Sequence, residues 1–513
     1  MANQRKIDWS SLWKKEDWWG VWIGFFIIAL ILAGLQVKSP KLRWTTDAEF
    51  KSYAAMAAPQ IEKLATEAEQ KEEAAVKDAA LALKASIGAA DRKAISDAAK
   101  KLQDAAKAAK DEGIKKKAEK LGKDIKGQAD ALTSKVFSWE NIWASLQICI
   151  GYWIIATIAA ALMGVKLGGF IVGFPLVFAL GWISRVIAGN YTIHSWGVEY
   201  VLWCLVIGLV ISNVIGVPQW LRSVIQTEFF IKSGLVILGS SILFEEILKA
   251  GSLGLIQAFL VVISVWYLTF WIAKKLKVDD EFAAVLASGV SICGVSAAIA
   301  TAGAVKADPK KLSYTTSIIL LCALPMLVGQ PLIAKAVGMP DVVAGAWMGG
   351  TLDTSPSVVA AAALVSETAM KVGVIVKMSQ NVLIGFAAFV LAVIWTFKKQ
   401  APTPGVEKPG IMEVWYRFPK FVLGFLIASF TFSFIIDPKT VEATKGILVE
   451  LRTWWFAMAF VCIGLETRFV ELIKMGGGRP ALAFVIGQSF NIVWTLILAY
   501  LLFGGILFPT PKF

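Results

Sequence analysis

Apolar runs of about 20 residues recur along most of the chain, the length an α-helix needs to cross a hydrocarbon core. They predict about thirteen segments: Trp18–Val37, Ile142–Gly164, Leu167–Ile187, Val201–Val217, Phe229–Phe244, Leu253–Ala273, Phe282–Val305, Tyr314–Val337, Val342–Val365, Val372–Phe397, Phe418–Ile436, Trp454–Phe469 and Ala481–Phe508. Trp18–Val37 is too long for a cleaved leader and no small-residue cleavage site follows it, so it reads as the first membrane helix. The pattern breaks once. Residues 45–135 are dominated by Ala, Lys, Glu and Asp, with sparse apolar positions at Ile61, Leu64, Leu81, Ile95, Leu102 and Leu121. This stretch is strong helix former. Its breaks at "SIGAAD" (86–91) and "DEGIKKK" (111–117) predict a long helix folded back as a hairpin.

The resulting division is 1–40 as start and first membrane helix, 41–137 as an Ala/Lys-rich helical arm, and 138–513 as the membrane domain. If segments alternate from a cytoplasmic N-terminus, the arm is extracytoplasmic. Lys274, Lys275 and Lys277, then Lys398, Lys399 and Lys408, then Lys474 and Arg479 fall inside, as the positive-inside rule expects. Lys306, Lys310 and Lys311 fall outside, against that rule. Either this loop is an exception or Val342–Val365 is re-entrant; the pattern leaves both open. The arm reads equally as a solvated spacer or as a contact for a partner or a second copy.

Composition agrees with a polytopic membrane protein. Apolar residues make up 57% and charged ones 17%, too lopsided for a soluble domain. The net charge of +13 fits cytoplasmic loops better than nucleic acid, since no basic stretch is interleaved with aromatics away from membrane-flanking positions. Five cysteines (Cys149, Cys204, Cys293, Cys322, Cys462) lie inside apolar segments without CxxC spacing, and His194 is the single histidine. Neither a disulfide framework nor a zinc site nor a Ser-His triad is indicated, so no enzyme activity and no resident cofactor are expected.

Two internal echoes carry the functional reading. "LGSSILFEEILKAG" (238–251) lies on "IGLETRFVELIKMG" (463–476) without gaps, pairing Gly239 with Gly464, Phe244 with Phe469, Glu246 with Glu471, Lys249 with Lys474 and Gly251 with Gly476. The copies are an odd number of segments apart, the mark of an inverted-repeat transporter. "SGVSICGVSAAIA" (288–300) has no residue larger than Ile and places Gly294 mid-segment, flanked by Ser291, Cys293 and Ser296. "GGTLDTSPSVVAAA" (349–362) matches it, Gly350, Pro356, Ser357 and Ala361 falling on Gly289, Val295, Ser296 and Ala300. Such stretches serve close helix packing, or they unwind where they line a cavity. The pair predicts broken helices. Ser355 is placed to cap a half-helix starting at Pro356, whose N–H groups point into mid-membrane as an anion site. Asp353 beside it is an ionisable group deep in an apolar segment and the candidate for a coupling proton or Na⁺. Lys377, Gln380 and Asn381 share one helical face. Lys232, Glu466 and Arg468 carry similar but weaker signals.

The segments "SGLVILGSSILF", "SICGVSAAIA", "GAWMGGTLDTSPSVVAAAALV" and "VIVKMSQNV", in this order, resemble the YeiH-like sulfate exporter family of bacterial membrane proteins. The likeness covers the second segment to the C-terminus. It implies an inner-membrane secondary carrier related to the cation/proton antiporter and bile-acid-transporter fold, with paired broken helices. The chain has Asp353-Thr354 where that family tends to show His-Asp, and Gln380 where it often has Arg.

The expectation is an all-α polytopic membrane protein that moves a small anion (sulfate, a sulfonate or a carboxylate) by alternating access, with an anion channel or a cation/proton antiporter as the alternatives. Ser291, Cys293, Gly294 and Ser296 form one wall of the site. Thr351, Thr354, Ser355 and Ser357 form the other, with Lys377, Gln380 and Asn381 nearby and Asp353 coupling an ion. No metal and no nucleic-acid partner are expected; lipid and a second copy, met through the arm, are.

Overall fold

The computed structural model describes residues 10–88, 91–196, 198–399, 412–468, 470 and 478–512. The chain divides into two compact units, one of residues 38–148 with 185–200, the other of 1–37, 149–184 and 201–513. Helix α1 (Glu16–Leu32) opens the larger unit.

The smaller unit holds α2 (Asp47–Gln70), α3 (Ala74–Gly88), α4 (Arg92–Lys107) and α5 (Glu112–Asp130). Three of the starts are capped: Thr46 and Glu49 form a reciprocal capping box, and Asp91 and Asp111 accept from Lys93 N and Ile114 N. The expected hairpin is therefore four helices. The additional break falls at residues 71–73, where Glu72 adopts φ 59° without the Gly or Pro that marks such turns. The core is also broader than a thin seam. Ile61, Leu64, Ile95 and Leu102 are joined by buried alanines that let helices approach closely, whereas Leu81 is 45% exposed. Arg92 ties the unit's ends together, donating to the carbonyls of Thr45, Gln128 and Ala131 and pairing with Asp47.

After α6 (Trp139–Met163) and α7 (Leu167–Ala188), the larger unit runs through α8 (Tyr200–Val210), α9 (Thr227–Gly239) and α10 (Phe244–Lys275). Next come α11 (Asp280–Ser288), a π-helical turn (Gly289–Cys293) and α12 (Gly294–Val305), then α13 (Pro309–Ala336). Helices α14 (Asp341–Thr351), α15 (Ser355–Val365), α16 (Glu367–Lys399), α17 (Lys420–Phe434), α18 (Pro438–Glu466) and α19 (Arg479–Phe503) complete it. Among the described residues, eight helical stretches are long and apolar enough to cross a membrane, 280–305 being one by length.

That stretch turns back. Lys311, just past its end, reaches Asp279 at 2.8 Å and Glu281 at 3.4 Å at its beginning, and the Phe282 and Tyr314 rings lie 5.5 Å apart. Its middle residues Gly289 and Gly294 both lie against Ile319 of α13. So α11 runs along α13 and α12 returns. The 341–365 segment does the same beside α16. Gly345 lies against Ala369, Gly349 against Gly373, and Leu352 is bonded by Lys377, so α14 and α16 point the same way. Helix α15 then brings the chain back to Glu367 at the start of α16. Each limb of this hairpin has 11 residues, about 16 Å of helix, which is half of a hydrocarbon core. Both hairpins therefore end mid-membrane, and they enter from opposite ends of α13.

Two expected crossings are thus re-entrant, Phe282–Val305 as well as Val342–Val365. Lys306, Lys310 and Lys311 then share a side with Lys274, Lys275 and Lys277, which removes the exception to the charge rule. The first echo is also structural. Thr227 Oγ1 donates to Glu466 at one end of the α9–α18 pair, and Arg452 donates to Ser241 at the other. The offset that carries Gly239 onto Gly464 carries Thr227 onto Arg452 and Ser241 onto Glu466, so each contact is the other's counterpart. Helices α10 and α19 are antiparallel too: Thr269 faces Gly487, while Gln257 and Thr495 flank Gly350. Phe469, Glu471, Lys474 and Gly476 of the second copy, and Lys408, lie outside the described residues.

With the native cysteines replaced, cysteines introduced at Lys275 and Lys310 should react with a membrane-impermeant maleimide from the same side; labelling from opposite sides would mean that 280–305 crosses. In the smaller unit, burial works against ionisation of Glu49, yet bonds from Thr192, Thr46 and Asn190 hold its carboxyl at about 2, against an ordinary 4.5. A depressed pKa contributes stability that is full above pH 4.5 and is lost as pH falls toward 2. Amide exchange around Thr46 and Asn190 should accelerate over that window, and Glu49→Gln should flatten the pH dependence.

Candidate functional site

The hairpin tips meet at Gly294 and Asp353. A methyl group at Gly294 would sit 3.0 Å from both the Cβ and the carbonyl oxygen of Asp353, and Gly294 has φ 46°, so the position admits only glycine. The return helices begin at Gly294 and Ser355, in the register in which the two sequence motifs align. Thr354, one residue earlier than expected, is the cap of α15: its side chain accepts from Ser357 N at 3.2 Å and lies 2.7 Å from Ser357 Oγ. Ser355 is instead the first helical residue, with Pro356 after it. Asp353 is not a cap.

Ending helices in an apolar interior exposes carbonyl groups, and polar side chains on α16 and α19 meet them. Lys377 Nζ donates to Ile292 O and Leu352 O at 2.7 Å each and to Gln380 Oε1 at 2.8 Å. Gln380 Nε2 donates to Ser291 O at 2.9 Å and Gly350 O at 3.3 Å. Both side chains thus bridge the two tips. Gln488 donates to Thr351 O at 3.0 Å and Asn491 to Val290 O at 3.2 Å. Lys377, 1% exposed, lies where the negative dipole ends of both inbound limbs converge. Asp353 is also 1% exposed, and among the described residues neither of its carboxylate oxygens has a hydrogen-bond partner; nor has Ser291 Oγ.

The starts of the return helices open onto two cavities. One of about 380 Å³ is lined by Val295, Thr354, Pro356 and Ser357 and by Glu16, Glu228 and Glu466. The other, about 270 Å³, is lined by Cys293, Ser296, Ser355 and Asn381, by Lys232 and Arg417, and by Glu16, Asp17 and Glu228. The expected site residues therefore divide. Cys293, Ser296, Thr354, Ser355, Ser357 and Asn381 reach a cavity. Ser291, Gly294, Thr351, Asp353, Lys377 and Gln380 sit in the packed joint between the tips; Thr351 Oγ1 is spent on Trp347 O.

Gln488 and Asn491 went unread, although with Thr495 they form a polar stripe at i, i+3 and i+7 of an apolar helix. The acidic residues around Lys232 went unread as a group because Glu16 and Asp17 belong to a distant helix. Lys232 pairs with Glu16 at 2.5 Å, Asp17 at 2.7 Å and Glu228 at 3.5 Å.

The stretch containing both hairpins matches a known family. A family model described as conserved hypothetical protein 698 covers residues 172–483. A UPF0324 membrane protein of Rhodopirellula baltica is 39% identical over 394 residues, 75% of this chain and 71% of that protein. A UPF0324 membrane protein of Nitratidesulfovibrio vulgaris is 38% identical over 397 residues, 75% of this chain and 68% of its own length. No solved structure matches. With this coverage and identity, the chain belongs to the UPF0324 family of multi-pass membrane proteins.

Proposed function

We propose that the protein is a secondary active transporter of the cell inner membrane that moves a small anionic solute by alternating access, with Asp353 taking up the coupling proton or Na⁺. The observation that carries the reading is the joint between the two hairpin tips. It holds a fully buried carboxylate to which no described residue donates, and cavities open at the starts of both return helices. An unpartnered carboxylate in such a place is expensive unless it is neutral or holds an ion, and two hairpins meeting tip to tip can open toward either side. The helix starts favour a negative solute, and the resemblance to YeiH-like sulfate exporters supports an anion such as sulfate, a sulfonate or a carboxylate. The positive-inside rule makes the side bearing Lys274 and Lys311 cytoplasmic, and alternation from there gives a cytoplasmic N-terminus and an extracytoplasmic arm. No catalytic chemistry and no cofactor beyond the coupling ion enter this reading.

A second reading, cation/proton antiport, is favoured by Glu16, Glu228 and Glu466 around the larger cavity, whose described lining has no Lys or Arg. Transport in proteoliposomes separates the readings. Under an imposed pH or Na⁺ gradient, the wild type is expected to accumulate a labelled sulfonate or sulfate beyond equilibrium, and Asp353→Asn to abolish that accumulation. Downhill flux indifferent to Asp353→Asn would make the protein a channel; proton release driven by added cation would make it an antiporter.

Stability should move the other way. Asp353→Asn replaces a buried carboxyl group to which no described residue donates by a neutral amide, and should leave the melting temperature unchanged or raised. Lys377→Ala removes the donor to two buried backbone carbonyls and to Gln380 Oε1, at about 1–3 kcal/mol for each acceptor left orphaned, and should lower it by several degrees.

A further inference from the structure

Helix α1 packs on α9 through two glycines one turn apart. A methyl at Gly20 would lie 2.9 Å from Lys232 Cβ, and one at Gly24 would lie 2.5 Å from Val236 Cγ1. This small-residue seam lets the backbones approach and brings the first turn of α1 to Lys232. The lysine is 6% exposed and its ammonium needs a counter-charge. Among the described residues it has three.

They are not equivalent. Asp17 also accepts from Lys420 N at 3.2 Å and is thereby fixed to the start of α17. Glu228 lies on Lys232's own helix and is the most distant, at 3.5 Å. Glu16, at 2.5 Å, and Glu228 keep 40% and 37% of their side chains exposed, and both line both cavities. In the described contacts Glu16 is neither bonded to a further element, as Asp17 is, nor carried on the lysine's own helix, as Glu228 is. It is the replaceable one.

The smaller cavity presents more than this lysine. Arg417 lines it, as do Ser296 and Ser355 near the starts of α12 and α15. Asn381 lines it too, 1% exposed, with Nδ2 donating to Ser355 Oγ at 3.1 Å and Oδ1 without a partner among the described residues. Turned about its last bond, that amide would offer N–H to a ligand while accepting from Ser355.

We propose that Glu16 is a tethered occupant of an anion site built on Lys232, and that the carboxylate or sulfonate group of the solute takes its place there in the 270 Å³ cavity. Glu16 also lines the larger cavity; when it swings toward that side, the exchange replaces one monoanionic group at Lys232 by another and conserves the charge beside the buried lysine. A divalent anion would add a charge beside Asp17 and Glu228. The solute class is therefore a small organic monoanion rather than sulfate. This inference rests on the anion-transporter reading and narrows it.

The test is calorimetric titration of the full-length protein with methanesulfonate, propionate, sulfate and choline at fixed ionic strength, with methanesulfonate uptake measured in parallel. Methanesulfonate or propionate should bind the wild type, and Glu16→Gln should bind it about tenfold more tightly because the internal competitor is gone. Lys232→Gln should abolish binding, and Lys232→Arg, which keeps the charge if the glutamine variant does not fold, should retain it. Unchanged or weaker binding by Glu16→Gln, or sulfate outcompeting the monoanions, would overturn the inference, while persisting uphill uptake would leave the transporter reading intact. Binding of choline with none of the anions would overturn both.

Discussion

Everything about the centre of this protein follows from one constraint: a helix that stops in the middle of a membrane leaves carbonyl groups that water cannot reach. Each such group, if orphaned, costs about 1–3 kcal/mol, and two inbound limbs end at the same place. The chain meets the demand with side chains long enough to reach both tips. Lys377 and Gln380 each bond a carbonyl from either hairpin, and Gln488 and Asn491 take two more from the opposite side. The joint is thus tied to α16 and α19 rather than to the helices that carry it. Its geometry depends on how those two pack against α10, where Gly254 meets Val376 and Thr269 meets Gly487.

The packing around the joint has the symmetry that such a joint needs. The α9–α18 and α10–α19 pairs are antiparallel, and the end contacts of the first pair exchange under the offset of the sequence echo. The hairpins enter from opposite ends of α13, so each half of the structure approaches the midplane as the other does. A site between two such tips has no intrinsic preference for one face of the membrane. The cavities nonetheless gather at the starts of the return helices, and α1 adds Glu16 to both of them, which breaks the equivalence locally.

Much of this was legible in the residues. The two small-residue motifs marked the breaks, and their register, Gly294 against Ser355, is the register of the folded tips. The face of Lys377, Gln380 and Asn381 was readable because polar groups at helical spacing in an apolar segment are costly in lipid and so must face protein or a cavity. The return of the chain at those breaks was not readable. Apolar periodicity is the same for a crossing helix and for two limbs that meet halfway, and only the charge misfit of Lys306, Lys310 and Lys311 hinted at the difference. The extra turn at Glu72 had no Gly or Pro to announce it. The Lys232 cluster was hidden for another reason. Its partners Glu16 and Asp17 come from a helix more than 200 positions away, and an acidic pair in the first turn of a helix already has a sufficient local role at the positive end of the dipole.

The distribution of charge along the two hairpins restricts what Lys377 can do. Its three hydrogens are all committed, two to backbone carbonyls at helix C-termini and one to Gln380. An ammonium group has three donors and no more, so Lys377 can serve a solute only by releasing a carbonyl it now satisfies. It also lines neither cavity, which leaves it a brace for the joint. The positive charge that an anionic solute would meet must then come from elsewhere. Two sources remain on the cavity walls: the N–H ends of the return helices, and the Lys232–Arg417 side of the smaller cavity. Asp353 lies against Gly294, one residue before the cap of α15, and is not among the residues lining either cavity. On the proposed transport reading its charge state would act on the solute through the field at those helix starts, and a carboxylate that alternates between ionised and neutral would weaken and strengthen the same anion site in turn.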